Sequence, residues 1–141
     1  MEQLGTFVVH HWGLFAALAM ILVLLALVSL GPMLQGVKQV DPAEAIRLLN
    51  HDGGVILDVR EDSEYQEGHI LNAVHVPLGR LKDQLQRLEK YKQRPVIMVC
   101  RSGQRSADAT SLLLKSGFAT IYNLKGGLLA WKNANLPLTR R

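Results

Sequence analysis

The residue in this chain best suited to nucleophilic chemistry is Cys100, the only cysteine among 141 residues. It stands in the stretch MVCRSGQRS, residues 98–106, where Arg101, Gly103 and Arg105 follow closely. Neighbouring cations and the positive end of a helix favour the thiolate over the thiol, and the thiolate is the reactive form. The pattern therefore predicts a nucleophilic cysteine within a site that binds anions.

The residues after Cys100 have the composition of an anion-binding loop between a strand and a helix. In a tight loop, backbone N–H groups turn toward the sulfur, and Gly103 permits backbone conformations that other residues resist. The candidate binding residues are those that follow the cysteine: Arg101, Ser102, Gly103, Gln104, Arg105 and Ser106. The alternative is an inert apolar thiol buried at a strand end, with both arginines in solvent.

Two other groups of polar residues could support such a site. Asp58 and Arg60 follow an apolar run, so they orient the loop through hydrogen bonds or form a structural ion pair. His69 is interpreted as a structural histidine, since a thiolate needs no general base. His51 and His75 lack the spacing of a metal site, and a single cysteine excludes an intrachain disulfide or a CxxC pair.

A buried strand must end at Cys100 to present the thiol, and residues 95–99, PVIMV, form such an apolar run. Shorter strands are predicted at 37–40, 55–57, 73–76 and 120–122. Because these strands alternate with helical segments, we predict an α/β fold with a doubly wound, mostly parallel sheet. Ligands of such sheets lie beyond the carboxyl ends of the strands, where Cys100 stands.

Capping residues and leucine spacing place the predicted helices. Asp41-Pro42 is typical of a helix start, and Gly117 is typical of a helix end. Predicted helical segments cover 42–50, 61–68 (a turn or short helix), 78–88, 106–116 and 128–134. The third of these is an amphipathic helix in which Leu78, Leu81, Leu85 and Leu88 face the core.

The distribution of charged residues divides the chain into an uncharged N-terminal segment and a charged remainder. No Asp, Glu, Lys or Arg occurs from Gln3 to Val37, whereas the 16 basic residues all follow. The net charge of +4 arises from basic residues interleaved with acids, as in KDQLQRLEKYK, and this is typical of a solvated helix face. We therefore expect no nucleic-acid partner.

This change in composition predicts three parts of the chain: a short tail over 1–11, a transmembrane helix over 12–34 and a soluble domain over 35–141. A helix of this length spans about 30 Å of hydrocarbon. A cleaved signal peptide is disfavoured by the missing basic start, the long apolar core and the absence of a small-residue cleavage site. Lys38 and Arg47 after the helix predict a bacterial inner-membrane protein with its N-terminus outside and its domain in the cytoplasm.

The domain resembles the single-domain rhodaneses, a family of sulfurtransferases, over nearly all of residues 37–138. Four motifs carry the resemblance: LDVRE with EYQEGHI (57–70), GHILNAVHVP (68–77), the loop CRSGQRS (100–106), and GFATIYNLKGGLLAW (117–131). The resemblance implies that Cys100 attacks the sulfane sulfur of an anionic donor such as thiosulfate. A persulfide forms, and a thiol acceptor removes its sulfur, without a metal or organic cofactor.

Two alternatives follow from the same residues. Phosphatases and arsenate reductases with a Cys-x5-Arg loop are disfavoured, because position 106 is serine and the last loop arginine is Arg105. A membrane-tethered interaction module would use the rhodanese fold as a docking surface. In that case residues 12–34 would bind the lipid bilayer and a membrane-protein partner.

Overall fold

The uncharged start of the chain forms two helices, α1 at Glu2–His10 and α2 at Trp12–Leu34. The computed structural model describes residues 2–34 and 37–141 of the chain. The predicted domain boundary at residue 35 lies outside the described residues. The chain divides before Val37 into this helical unit and an α/β unit.

The helical unit does not contain a membrane span in one straight piece within its described residues. No helix there is by itself both long and apolar enough to cross a bilayer. Two segments, Gln3–His10 of α1 and Trp12–Val28 of α2, reach that length and apolar composition only when they are taken together. The chain bends by 74° at the break between them.

The α/β unit alternates strands and helices, as the sequence predicts. The strands are β1 Lys38–Val40, β2 Val55–Asp58, β3 Val74–His75, β4 Val96–Val99 and β5 Ile121–Leu124. The helices are α3 Pro42–His51, α4 Asp62–Glu67, α5 Leu85–Leu88, α6 Gln104–Lys115 and α7 Gly127–Asn133.

The five strands form one sheet in the order β1-β5-β4-β2-β3, and every neighbouring pair is parallel. The prediction of a parallel α/β sheet is confirmed. Lys38 of β1 lies level with Tyr122 of β5, which lies level with Ile97 of β4. All strands therefore end at one edge, and Cys100 follows β4 at that edge.

Helices cover both faces of the sheet. The central strands β2 and β4 are therefore buried along their whole length. Leu57 and Met98 pack with α5 and α6 on one face. Ile56 and Ile97 pack with α3 and α7 on the other. Each buried aliphatic side chain contributes about 1.5–3 kcal/mol relative to exposure, so these two layers fix β4 in place.

The segment from Leu78 to Leu88 differs from the prediction of one amphipathic helix. It consists of 3-10 turns at Leu78–Arg80 and Lys82–Gln84, followed by the short helix α5. In 3-10 geometry residues three apart lie on the same side, so leucines spaced by three can still face the core. Leu81 and Leu88 are fully buried, which explains the leucine pattern without a continuous helix.

Candidate active site

Cys100 lies directly after β4, and its residue surface is 1% exposed. The backbone N–H of Gly103 donates a hydrogen bond to Cys100 Sγ at 2.9 Å. The hydroxyl Oγ of Ser106 lies 3.5 Å from the same sulfur. The Gly103 N–H is a dipole directed at the sulfur and can stabilise negative charge there, whereas the Ser106 hydroxyl hydrogen is directed to other acceptors.

The helix after the loop begins earlier than the sequence predicted. Gly103, with φ 99°, is the N-terminal cap of α6, whose first residue is Gln104. The left-handed φ of Gly103 allows the chain to turn from β4 into α6 within three residues of Cys100. Gln104, Arg105 and Ser106 consequently belong to the first helical turn, and the sulfur faces the N-terminal end of this 12-residue helix.

Backbone N–H groups at the start of α7 bind the first two carbonyl oxygens of the Cys100 loop. Leu128 N–H donates to Cys100 O at 2.8 Å, and Leu129 N–H donates to Arg101 O at 3.2 Å. Gly127, with φ 58°, makes this approach possible: a Cβ atom there would lie 2.7 Å from the carbonyl oxygen of Arg101. The two carbonyl oxygens at the start of the loop are therefore bound by α7.

A buried polar network lies beneath the loop. The single hydrogen of the Ser106 hydroxyl is shared between two acceptors, Gly103 O at 3.0 Å and Asn123 Oδ1 in a short hydrogen bond. Asn123 Nδ2 in turn donates to Gly103 O and to Gln39 Oε1, each at 3.2 Å. Asn123 and Gln39 were not predicted from the sequence. The available signal was an asparagine inside the otherwise apolar strand β5.

The two loop arginines have different surroundings. Arg105 forms a two-point ion pair with Glu64 of α4, at 2.7 and 2.8 Å. Hydrogen bonding to Arg105 lowers the pKa of Glu64 to about 2, and the pKa of Arg105 is raised in return. Arg101 is exposed and has no ion pair within the described residues. Arg101 is therefore the loop cation that a ligand can still neutralise.

Asp58 and Arg60 form a buried ion pair. Arg60 Nη2 lies 2.7 Å from Asp58 Oδ2, and both side chains are at most 5% exposed. Arg60 also donates to the backbone oxygens of Glu64 and Gly68, at 3.1 and 2.9 Å. Of the two roles considered for this pair, the geometry matches the structural ion pair. It reaches the Cys100 loop only indirectly, through Glu64 and its bond to Arg105.

Two histidines of the domain, His69 and His75, are engaged in structural contacts. His69 is buried, and its ring nitrogens each lie 2.9 Å from a backbone oxygen, of Tyr65 and Arg141. The Tyr65 ring is stacked between the rings of His69 and His75, at centroid distances of 3.7 and 4.1 Å. Burial raises the pKa of the Tyr65 phenol. Neither histidine is placed as a base at Cys100.

No group of three or more His, Cys, Asp or Glu in the described part of the chain is arranged to hold a metal ion. A cavity of about 140 Å³ lies beside the loop, between α4 and α7. Arg101 from the loop and Leu128 and Leu129 from α7 form part of its wall. The site therefore combines a sulfur nucleophile, an anion-stabilising environment and an adjacent space for a small molecule.

Comparisons with known proteins agree with this geometry. The family model for the rhodanese-like domain matches residues 41–134. The chain is 33% identical over 141 residues to "Uncharacterized protein YibN" of Escherichia coli, and the alignment covers 99% of each chain. It is 35% identical over 95 residues to the thiosulfate sulfurtransferase GlpE of Coxiella burnetii, covering 67% of this chain and 87% of the relative.

A crystal structure of a rhodanese-related protein from Thermoplasma volcanium matches with a TM-score of 0.67 and 26% identity. That match covers 74% of this chain and 99% of the other. The relatives that carry sulfurtransferase names support a sulfurtransferase-type function. The chain belongs to the rhodanese-like domain family.

Proposed function

We propose that this protein is a sulfurtransferase that carries sulfane sulfur as a persulfide on Cys100. The single observation that carries the proposal is the position of Cys100 Sγ. The sulfur receives the Gly103 N–H at 2.9 Å, while α7 binds the carbonyl oxygens of Cys100 and Arg101. A backbone N–H directed at the sulfur from the cap of α6 stabilises the negative charge that both the thiolate and the persulfide bear.

The first half-reaction takes sulfur from an anionic donor such as thiosulfate. The Cys100 thiolate attacks the outer, sulfane sulfur and forms a new S–S bond. The bond between that sulfur and the sulfonate group breaks, and sulfite leaves with the electron pair. The Cys100 persulfide anion remains, and Arg101 supplies the unpaired cation that attracts the donor.

The second half-reaction passes the sulfur to a thiol acceptor. The acceptor thiolate attacks the terminal sulfur of the persulfide, and the bond between this sulfur and Cys100 Sγ breaks with its electrons returning to Cys100. The products are the acceptor persulfide and the free Cys100 thiolate, so sulfur is transferred without net oxidation. Such covalent catalysis gives ping-pong kinetics.

Mass spectrometry of the full chain in detergent tests the proposal. After treatment with thiosulfate and removal of excess donor, we expect an adduct of about 32 Da on Cys100, which a thiol releases. The Cys100→Ser variant is the matched control and should carry no adduct. The proposal is wrong if the wild-type chain acquires no sulfur or if the Cys100→Ser chain transfers sulfur equally well.

We also propose that residues 12–34 hold the protein in a lipid bilayer, with the domain on the cytoplasmic side of a bacterial inner membrane. Between Trp12 and Val28 the apolar side chains are exposed, Leu14 by 70% and Leu27 by 63%, and lipid would cover them. The alignment with YibN includes this segment. Lys38 and Arg47 after the segment supply the cytoplasmic charge bias.

Topology is testable because the chain has a single native thiol. In a Cys100→Ser background, a cysteine at exposed Lys115 should react with a membrane-impermeant maleimide only after the cells are opened. Labelling in intact cells would reverse the proposed orientation. Recovery of the chain in the wash after alkaline carbonate extraction would contradict the anchor itself.

The second candidate function, a membrane-tethered interaction module, rests on the packing around Gly13. No atom lies within 4 Å of the place where a Cβ would stand, so a neighbouring helix could approach the backbone closely. Replacing residues 12–34 with an unrelated apolar helix should abolish crosslinks to the partner if this function holds. Unchanged crosslinks, or none with the native helix, would contradict it.

A further inference from the structure

The cavity beside the Cys100 loop has a charge pattern that selects among acceptors, and this inference rests on the proposed sulfurtransferase function. Two of its charged residues are already neutralised within the protein. Arg60 is paired with Asp58, and Glu64 is paired with Arg105. They contribute to the wall of the cavity but leave no net charge for a ligand.

Three further charged residues on the wall have no ion pair within the described part of the chain: Arg101, Lys132 and Glu67. All three are exposed. Arg140 donates to the backbone oxygen of Glu67 at 3.1 Å and not to its side chain. The Glu67 carboxylate therefore remains available for a ligand. The cavity thus offers a ligand two cations and one anion.

The rest of the wall is apolar and the space is small. Leu128 is buried, whereas Leu129 is 45% exposed and presents a hydrocarbon surface. The volume of about 140 Å³ suits a small molecule and not a segment of a macromolecule. A dianionic donor such as thiosulfate needs only the cations, and Glu67 would repel it. The full set of charges therefore suits the acceptor.

We propose that the preferred acceptor is a small zwitterionic thiol of the amino-acid class. Arg101 and Lys132 bind its carboxylate, Glu67 binds its ammonium group, and its methylene packs on Leu129. The thiolate of this acceptor attacks the terminal sulfur of the Cys100 persulfide. The S–S bond to Cys100 breaks, and an amino-acid persulfide leaves as the Cys100 thiolate re-forms.

The test uses four acceptors that differ by one group at a time. L-cysteine carries both charges, 3-mercaptopropionate only the carboxylate, cysteamine only the ammonium group, and 2-mercaptoethanol neither. The full chain in detergent is loaded with thiosulfate, freed of donor, and mixed with each thiol in turn. The rate at which the sulfur adduct disappears from Cys100 is then followed by mass spectrometry.

Each thiol is compared only with itself across variants, so its intrinsic reactivity cancels. In Arg101→Gln and Lys132→Gln, discharge by L-cysteine and by 3-mercaptopropionate should slow about fivefold, the size of an exposed charge interaction. Discharge by 2-mercaptoethanol should slow less than discharge by either of these two thiols. Lys115→Gln, at the far end of α6, is the matched control and should leave all four rates unchanged.

The Glu67→Gln variant gives the sharpest signature, because its effects have opposite signs. Discharge by cysteamine and L-cysteine should slow about fivefold, while discharge by 3-mercaptopropionate should become faster as repulsion is removed. A merely structural effect would change all acceptors alike. Equal rate ratios for the four thiols would overturn the inference while leaving the proposed function intact. Failure of the wild-type chain to load sulfur would overturn both.

Discussion

The guanidinium group of Arg105 binds both carboxylate oxygens of Glu64, and this pair joins the first turn of α6 to α4. Arg105 is near the nucleophile in sequence, yet its charge is largely taken by Glu64. Arg60 donates to the backbone oxygen of the same glutamate at 3.1 Å. The position of the loop is therefore linked to the buried Asp58–Arg60 pair through a single residue of α4.

The Glu64–Arg105 pair should make stability depend on acid pH. The pKa of Glu64 falls from the ordinary 4.5 to about 2, so the carboxylate stabilises the folded state above pH 4.5. This contribution is lost as the pH falls from 4.5 through about 2. For Glu64→Gln we expect ~0.5–1 kcal/mol less stability at pH 7 and no deficit near pH 2, by urea denaturation.

The control for this prediction is Asp83→Asn, a change on the exposed 3-10 turn Lys82–Gln84. It should leave the pH dependence of the unfolding free energy as in the wild type. A Glu64→Gln deficit that stays constant from pH 7 down to pH 2 would show that the ion pair is not its source.

Gly127→Ala should displace the Cys100 loop. The new Cβ would lie 2.7 Å from the backbone carbonyl of Arg101, and alanine is strained at φ 58°. We expect a loss of about 1–3 kcal/mol in the free energy of unfolding, together with slower formation of the Cys100 persulfide. Gly79→Ala is the matched control, since its Cβ would meet nothing within 4 Å. Equal behaviour of the two variants would contradict the proposed role of Gly127.

Asn123→Asp should reduce the reactivity of Cys100. The substitution removes the amide donor to Gly103 O and places a carboxylate in the buried network below the sulfur. A nearby negative charge disfavours the thiolate, so alkylation by iodoacetamide at pH 7 should slow about tenfold or more. Asn123→Ala, which loses the hydrogen bonds without gaining charge, should be clearly less impaired in alkylation. Similar rates for the two variants would rule out the electrostatic cause.

Arg60→Met should destabilise the domain by about 3–5 kcal/mol, because Asp58 would remain buried without its counter-ion. Two backbone oxygens would also lose a donor. The double variant Asp58→Leu with Arg60→Met should recover part of this stability, since no buried charge is left. Urea denaturation measures both. A single-variant loss below 1 kcal/mol, or a double variant less stable than the single, would contradict the assignment.

The main features of the fold were predictable because they arise from local patterns. Apolar runs flanked by glycines and caps located the strands, and the β4 run indicated where Cys100 would stand. Asp41 accepts a hydrogen bond from Glu44 N at 2.8 Å, as its place before Pro42 suggested. The helix predicted over Leu78–Leu88 was wrong, because leucines spaced by three suit 3-10 turns as well as an α-helix.

The surroundings of Cys100 were not predictable to the same degree, because they depend on contacts between residues far apart in sequence. Glu64 binds Arg105 from a different helix, and Gln39 reaches Asn123 from the neighbouring strand. The start of α6 was also missed by two residues. Its cap is Gly103, which has no side chain to mark a helix start in the way that Asp41 does.

The parallel register of β1 determines where the chain enters the sheet. Lys38 is paired with Tyr122 of β5, which is in turn paired with Ile97 of β4. Val37 therefore lies at the level where β4 begins, which is about 13 Å along the strand before Cys100. Val37 and Cys100 therefore lie at opposite ends of the sheet. The chain thus enters the α/β unit at the end of the sheet where β4 begins, and the nucleophile stands at the end where β4 stops.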